Sequence, residues 1–77
     1  RLNENIETGL ADLFYATQIE LFQVDALAAM WDVPSRDFGR LVTPALEKFK
    51  RIGVIEDYQR LRGQFRIQRA RRFARYN

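Results

Sequence analysis

The 77-residue chain has no cysteine and no histidine. Without cysteine there is no disulfide framework to staple a small core and no thiolate nucleophile, and a cytoplasmic location is the one expected. Without histidine the commonest general base and metal ligand is missing. The carboxylates do not replace them: Glu56 and Asp57 are neighbours, so on a strand they point to opposite sides and cannot share acid–base work. Gly39 and Gly63 stand alone, so there is no phosphate-cradling glycine loop, and no metal-ligand spacing appears. The expectation is a protein that is not an enzyme and carries neither cofactor nor metal. Long apolar runs are missing too; none reaches the roughly 18 residues of a membrane span. Residues 1–17 carry Glu4, Glu7 and Asp12 among the apolar positions, which argues against a signal peptide and a membrane partner. The chain opens on Arg1 rather than Met, so residues 1–77 are expected to be a single domain taken from a larger protein.

Charge of one sign is also missing over long stretches. Residues 1–35 hold one base, Arg1, against Glu4, Glu7, Asp12, Glu20, Asp25 and Asp32. Residues 58–77 hold Arg60, Arg62, Arg66, Arg69, Arg71, Arg72 and Arg75 and no acid. A net charge of +3 thus hides a bipolar chain whose C-terminal part attracts polyanions. Arginine in place of lysine throughout favours bidentate binding of phosphate and stacking on flat groups. The alternative is a solvated basic tail.

What is abundant is apolar and aromatic residues, 47% and 13% of the chain, enough to fold a small domain. They are patterned. Phe38, Leu41, Val42, Ala45, Phe49 and Ile52 recur at steps of three and four and predict a helix over residues 35–52 with this stripe inward. Ser35 is placed to cap it, Asp37 lies in its first turn, and Gly53 is its expected stop. Arg36, Gly39, Arg40, Thr43 and Glu47 fall on its other face. Before it, Val24, Leu27, Ala28 and Trp31 share one face of a shorter helix over residues 23–31. Asp32 tolerates the left-handed turn, and Pro34 forces Val33 into an extended conformation. Short helix, tight turn and longer amphipathic helix make a helix-turn-helix pattern.

Around this core, Ile6, Leu10, Leu13, Phe14 and Thr17 predict a first helix over about residues 4–17, capped by Asn3 or Asn5, and Ile19–Phe22 alternates as a short strand. After Gly53 the period becomes that of strands: one to about Arg60, a turn at Leu61-Arg62-Gly63-Gln64, and a second over residues 65–69, with Phe65 and Ile67 inward and Arg66 and Gln68 outward. The expected fold class is mainly α with a small β-hairpin (α+β), a winged helix-turn-helix of three helices with a two- to three-stranded antiparallel sheet. Residues 69–77 fit either a strand extension or a short helix. Pro44 in mid-helix removes a hydrogen bond to the Arg40 carbonyl at about 3 kcal/mol. Either the helix kinks there, which the unbroken apolar phase favours, or Thr43 caps a separate helix with Pro44 as its first residue.

The stretch Leu41-Val42-Thr43-Pro44-Ala45-Leu46, followed by Phe49 and the basic hairpin Arg60–Ile67, resembles the recognition helix and wing of plasmid replication initiator proteins. The resemblance covers about residues 22–68. Where that family usually has an acid-rich, asparagine-containing segment, Lys48, Lys50, Arg51 and Gly53 stand, closer to the ending of winged-helix bacterial regulators. The resemblance implies a parent that binds repeated origin sites, helps to open the duplex and recruits host replication proteins, on a plasmid or in the nucleoid. Such domains often bind DNA as dimers, although no obvious dimer helix is present.

The function expected is sequence-specific binding of double-stranded DNA in plasmid or phage replication or its regulation. Ser35, Arg36, Gly39, Arg40 and Thr43 would face the major groove, with Arg36 and Arg40 suited to guanine O6 and N7. Lys48, Lys50, Arg60, Arg62 and Arg66 would hold phosphates, and Arg69, Arg71, Arg72 and Arg75 would add affinity. A protein-interaction module in a replication or transcription assembly, with the acidic first helix as its surface, is the second expectation. Single-strand binding on Tyr58, Phe65, Phe73 and Tyr76 is the third.

Overall fold

The computed structural model describes residues 6–70. Within them the stripes and turn residues produce α1 (Ile6–Ala16), β1 (Leu21–Gln23), α2 (Val24–Trp31), α3 (Ser35–Ile52), β2 (Ile55–Leu61) and β3 (Gln64–Arg69). The three strands form one antiparallel sheet in the order β1-β3-β2. The expected class, an α+β domain of three helices with a small antiparallel sheet, is the one found. Among the described residues no helix is long and apolar enough to cross a membrane. The readings placed on Asn3, Asn5, Arg71, Arg72, Phe73, Arg75 and Tyr76 lie outside the described residues.

Both ends of the helix pair are set by left-handed residues. Asp32 takes φ 59° after α2; its N–H donates to the Ala29 carbonyl at 3.2 Å and that of Val33 to Ala28 at 3.1 Å. Gly53 takes φ 88° after α3; its N–H donates to Lys50 at 3.3 Å and that of Val54 to Phe49 at 2.8 Å. Both sets are the paired bonds that close a helix C-terminus through an αL residue. At the start of α3 the sequence reading needs correcting. Pro34, not Ser35, is the cap: its backbone is extended and its carbonyl accepts the Phe38 N–H at 3.0 Å, which leaves Ser35 as the first helical residue. Pro44 lies inside one continuous helix, so Thr43 does not cap a separate one.

The core joins all six elements. Leu10 and Phe14 of α1, Phe22 of β1, Leu27 and Trp31 of α2, Phe38, Val42, Leu46 and Phe49 of α3, and Ile55, Phe65 and Ile67 of the hairpin are buried. Phe14 sits between the layers, with ring centroids 5.3 Å from Phe22, 5.8 Å from Phe49 and 6.4 Å from Phe65. The α3 stripe is rotated slightly from the expected one. Leu46 is buried, while Leu41 and Ile52 are 48% and 54% exposed. All three lie at the margins of a wide apolar arc, and packing against α2 and β2 selects the Leu46 side. The first strand is also shorter and later than expected, because its ladder exists only where Gln64, Phe65 and Arg66 oppose it. Ile19 stays outside the strand, 51% exposed.

The hairpin turn holds just Arg62 and Gly63, with Leu61 paired to Gln64 and Gly63 at φ 66°. A glycine accepts that conformation without strain. The Gly63 carbonyl accepts the Val24 N–H at 3.0 Å, which ties the tip of the hairpin to the first residue of α2.

Candidate functional site

Side chains alternate across a strand, so β2 and β3 divide their polar residues between two faces. Arg60 pairs across the sheet with the buried Phe65 and therefore points to the helix side, whereas Arg66, opposite Gln59, points to the outer side. The arginines clustered by sequence around the turn thus separate. Arg66 joins Asp57, Gln59 and Gln68 in a shallow hollow on the outer sheet face. Arg62 stands exposed at the turn itself.

Arg60 meets α3. Its Nε donates to Thr43 Oγ1 at 3.3 Å, and its Nη1 donates to the Gln64 carbonyl at 2.6 Å and to the Leu61 carbonyl at 3.3 Å. It borders an open groove on whose walls lie Ser35, Arg36, Gly39 and Arg40 of α3, Val24 and Asp25 of α2, and Gly63 of the turn. Ser35, Arg36 and Arg40 are exposed, and Gly39 and Thr43 are half-buried. Arg36, Gly39, Arg40 and Thr43 are therefore brought together with one hairpin arginine. The sequence reading did not foresee Val24 and Asp25 in the groove. Asp25 is visible as a first-turn acid, but only the folded position of the turn against α2 puts it there. It is the single acid on these walls, against three arginines.

Three further sequence-predicted cations, Lys48, Lys50 and Arg69, have partners among the described residues. Lys48 Nζ lies 2.8 Å from Glu7 Oε1 and Lys50 Nζ 3.2 Å from Asp57 Oδ1. Arg69 does not project into solvent as a polyanion contact. It reaches back to α1, which has no base of its own in its last turn, and donates through Nη1 to the Phe14 carbonyl and through Nη2 to the Ile19 carbonyl at 2.5 Å. A cation there satisfies free carbonyls at a helix C-terminus and complements its dipole. Two of the aromatics expected as stacking platforms, Tyr58 and Phe65, lie among the described residues. Phe65 is fully buried, and Tyr58, half-buried, donates its hydroxyl to Glu47 Oε2.

Two titrations follow from this packing. The Tyr58 hydroxyl is raised above its ordinary 10.0, first by its hydrogen bond to the Glu47 carboxylate and then by burial. Asp57 is lowered from its ordinary 3.8, first because it accepts the Tyr58 backbone N–H at 2.8 Å and then because of Lys50. Both groups lie on β2 within reach of the second half of α3, Tyr58 at Glu47 and Asp57 at Lys50, away from the groove.

No protein-family model, curated protein or solved structure matches this chain.

Proposed function

We propose that the chain is a winged helix-turn-helix domain that binds double-stranded DNA by sequence, with α3 directed into the major groove and the β2–β3 hairpin as the wing. The observation that carries this is the groove in which Arg36 and Arg40 of α3 meet Arg60 of the hairpin on one side of the molecule. Neither Arg36 nor Arg40 makes an ion pair with a described residue. The helix–strand–helix–helix–strand–strand order, with the last strand central in the sheet, supports the winged-helix part of the reading. Arg36 and Arg40 would address base edges, for which guanine O6 and N7 are the matching acceptors. Ser35 and Arg62 would contact flanking phosphates. Lys48 and Lys50, balanced by Glu7 and Asp57, would add little.

The resemblance to plasmid replication initiators supplies the wider proposal: origin binding within a larger bacterial protein, with host replication proteins as further partners and copies pairing on repeated sites. Selection of bound sequences from a random duplex pool, followed by anisotropy titration at two salt concentrations, tests it. The expected result is one enriched motif and an affinity that falls steeply with salt. Arg40→Ala is expected to cost about 1–3 kcal/mol at one base position, and Arg62→Ala to weaken all sequences alike and flatten the salt slope by about one. A second reading, a protein-interaction module, is favoured by Leu41 and Ile52, both about half exposed and three turns apart along one flank of α3. Absence of salt-dependent duplex binding would leave that reading in place of the first.

A further inference from the structure

The two helical glycines of the described chain have opposite surroundings. At Gly9 a Cβ would fall 2.3 Å from Cζ2 of Trp31, so the indole packs on bare backbone and the core requires the glycine. At Gly39 a Cβ would meet only Arg60 Nη2 at 3.8 Å and Val24 Cγ1 at 4.0 Å, ordinary contact distances, and the backbone there is helical. Nothing in the fold demands a glycine at this position. A glycine in a helix interior is nonetheless unfavourable relative to alanine, because it loses more backbone freedom on folding.

The neighbouring arginine is equally unusual. Three hydrogen bonds hold Arg60 through Nε and Nη1 to Thr43, Leu61 and Gln64. Nη2 makes none of these bonds and lies over Gly39, in the groove. A long side chain that ordinarily loses rotamer freedom on binding is here already fixed, with one donor edge presented above a patch of uncovered helix backbone.

We propose that Gly39 and Arg60 Nη2 form a seat for one backbone phosphate of the bound duplex, with Gly39 left bare so that the strand can approach α3. This rests on the DNA-binding reading above and names the contact it makes at the junction of helix and wing. In this seat Thr43 acts as a positioning residue that holds Arg60, and not as a reader of bases.

Gly39→Ala separates the seat from the fold, because the added methyl group fits the free protein. Thermal unfolding of the full chain should rise by roughly 2–8 °C. Affinity for the duplex enriched by selection should fall about tenfold or more. Affinity for a mixed-sequence duplex should fall equally, because a phosphate carries no base identity. Arg60→Ala should lower the slope of log affinity against log salt by about 0.9, the release of one counterion. If the unaltered chain binds duplex DNA and Gly39→Ala binds it as tightly, the seat is overturned while the DNA-binding reading stands. If the unaltered chain shows no salt-dependent duplex binding, both fall together.

Discussion

The two halves of α3 carry similar charge and use it in opposite ways. From Pro44 onward three of the four charged side chains are engaged, Glu47 by Tyr58, Lys48 by Glu7 and Lys50 by Asp57, and the exposed Arg51 has no described ion-pair partner. Before Pro44, Arg36 and Arg40 stand exposed on a groove with no described ion-pair partner. The apolar side does not divide with it. Phe38 and Val42 are buried in the first half as Ala45, Leu46 and Phe49 are in the second, and Leu41 and Ile52, one in each half, are about half exposed. The hairpin and α1 cause the polar difference: β2 sets Tyr58 on Glu47 and Asp57 on Lys50 in the second half, α1 sets Glu7 on Lys48, and in the first half β2 brings Arg60 to Thr43. One helix thus has an anchored part and a presented part. A basic residue becomes available for a partner only where the fold brings no carboxylate opposite it.

The comparison breaks first on stability. Phe49→Ala, in the anchored half, is expected to destabilise by about 3–5 kcal/mol in a denaturant titration, enough to unfold a domain of this size. Leu41→Ala, in the presented half, should stay within about 0.5 kcal/mol. Equal effects would mean that Leu41 is packed as tightly as Phe49. On binding the order reverses. Lys50→Ala should leave the base preference recovered from a random pool unchanged, whereas Arg40→Ala should relax it at one position; a matching loss from Lys50→Ala would extend the presented surface past Pro44. The smallest effect is a titration confined to the anchored half. Tyr58 has a raised folded value, so its contribution is complete below 10.0 and is lost as pH climbs through the folded value. Asp57 has a lowered one, so its contribution is present above 3.8 and is lost as pH falls through the folded value. Thermal unfolding followed across both ranges should show modest losses at the two extremes, and Tyr58→Phe should remove the alkaline one.

Much of the architecture was legible because it was written in residues with few conformational options. Asp32, Pro34 and Gly53 punctuate the helix pair, Gly63 marks the hairpin turn, and Phe65 and Ile67 declare its inner face by alternation. The buried face of α2 was readable whole: Val24, Leu27, Ala28 and Trp31, spaced i, i+3, i+4 and i+7, are its buried residues. On the 18-residue α3 the arc is wide, and periodicity alone does not say whether Leu41 or Leu46 closes it. The site was legible in its helical half, because Arg36, Gly39 and Arg40 follow from helix geometry. The fates of Arg60, Arg66 and Arg69 were not. Whether each faces the groove, the outer sheet or the end of α1 depends on strand register and on which carbonyls lie far away in sequence and near in space.

The bond from Val24 N–H to the Gly63 carbonyl has a thermodynamic consequence. It fastens the loop between β2 and β3 before any ligand arrives, so a duplex docking there would not have to order a floppy ribbon. Association should therefore show a small ordering entropy and a heat-capacity change set by surface burial alone, readable by calorimetry over a range of temperatures.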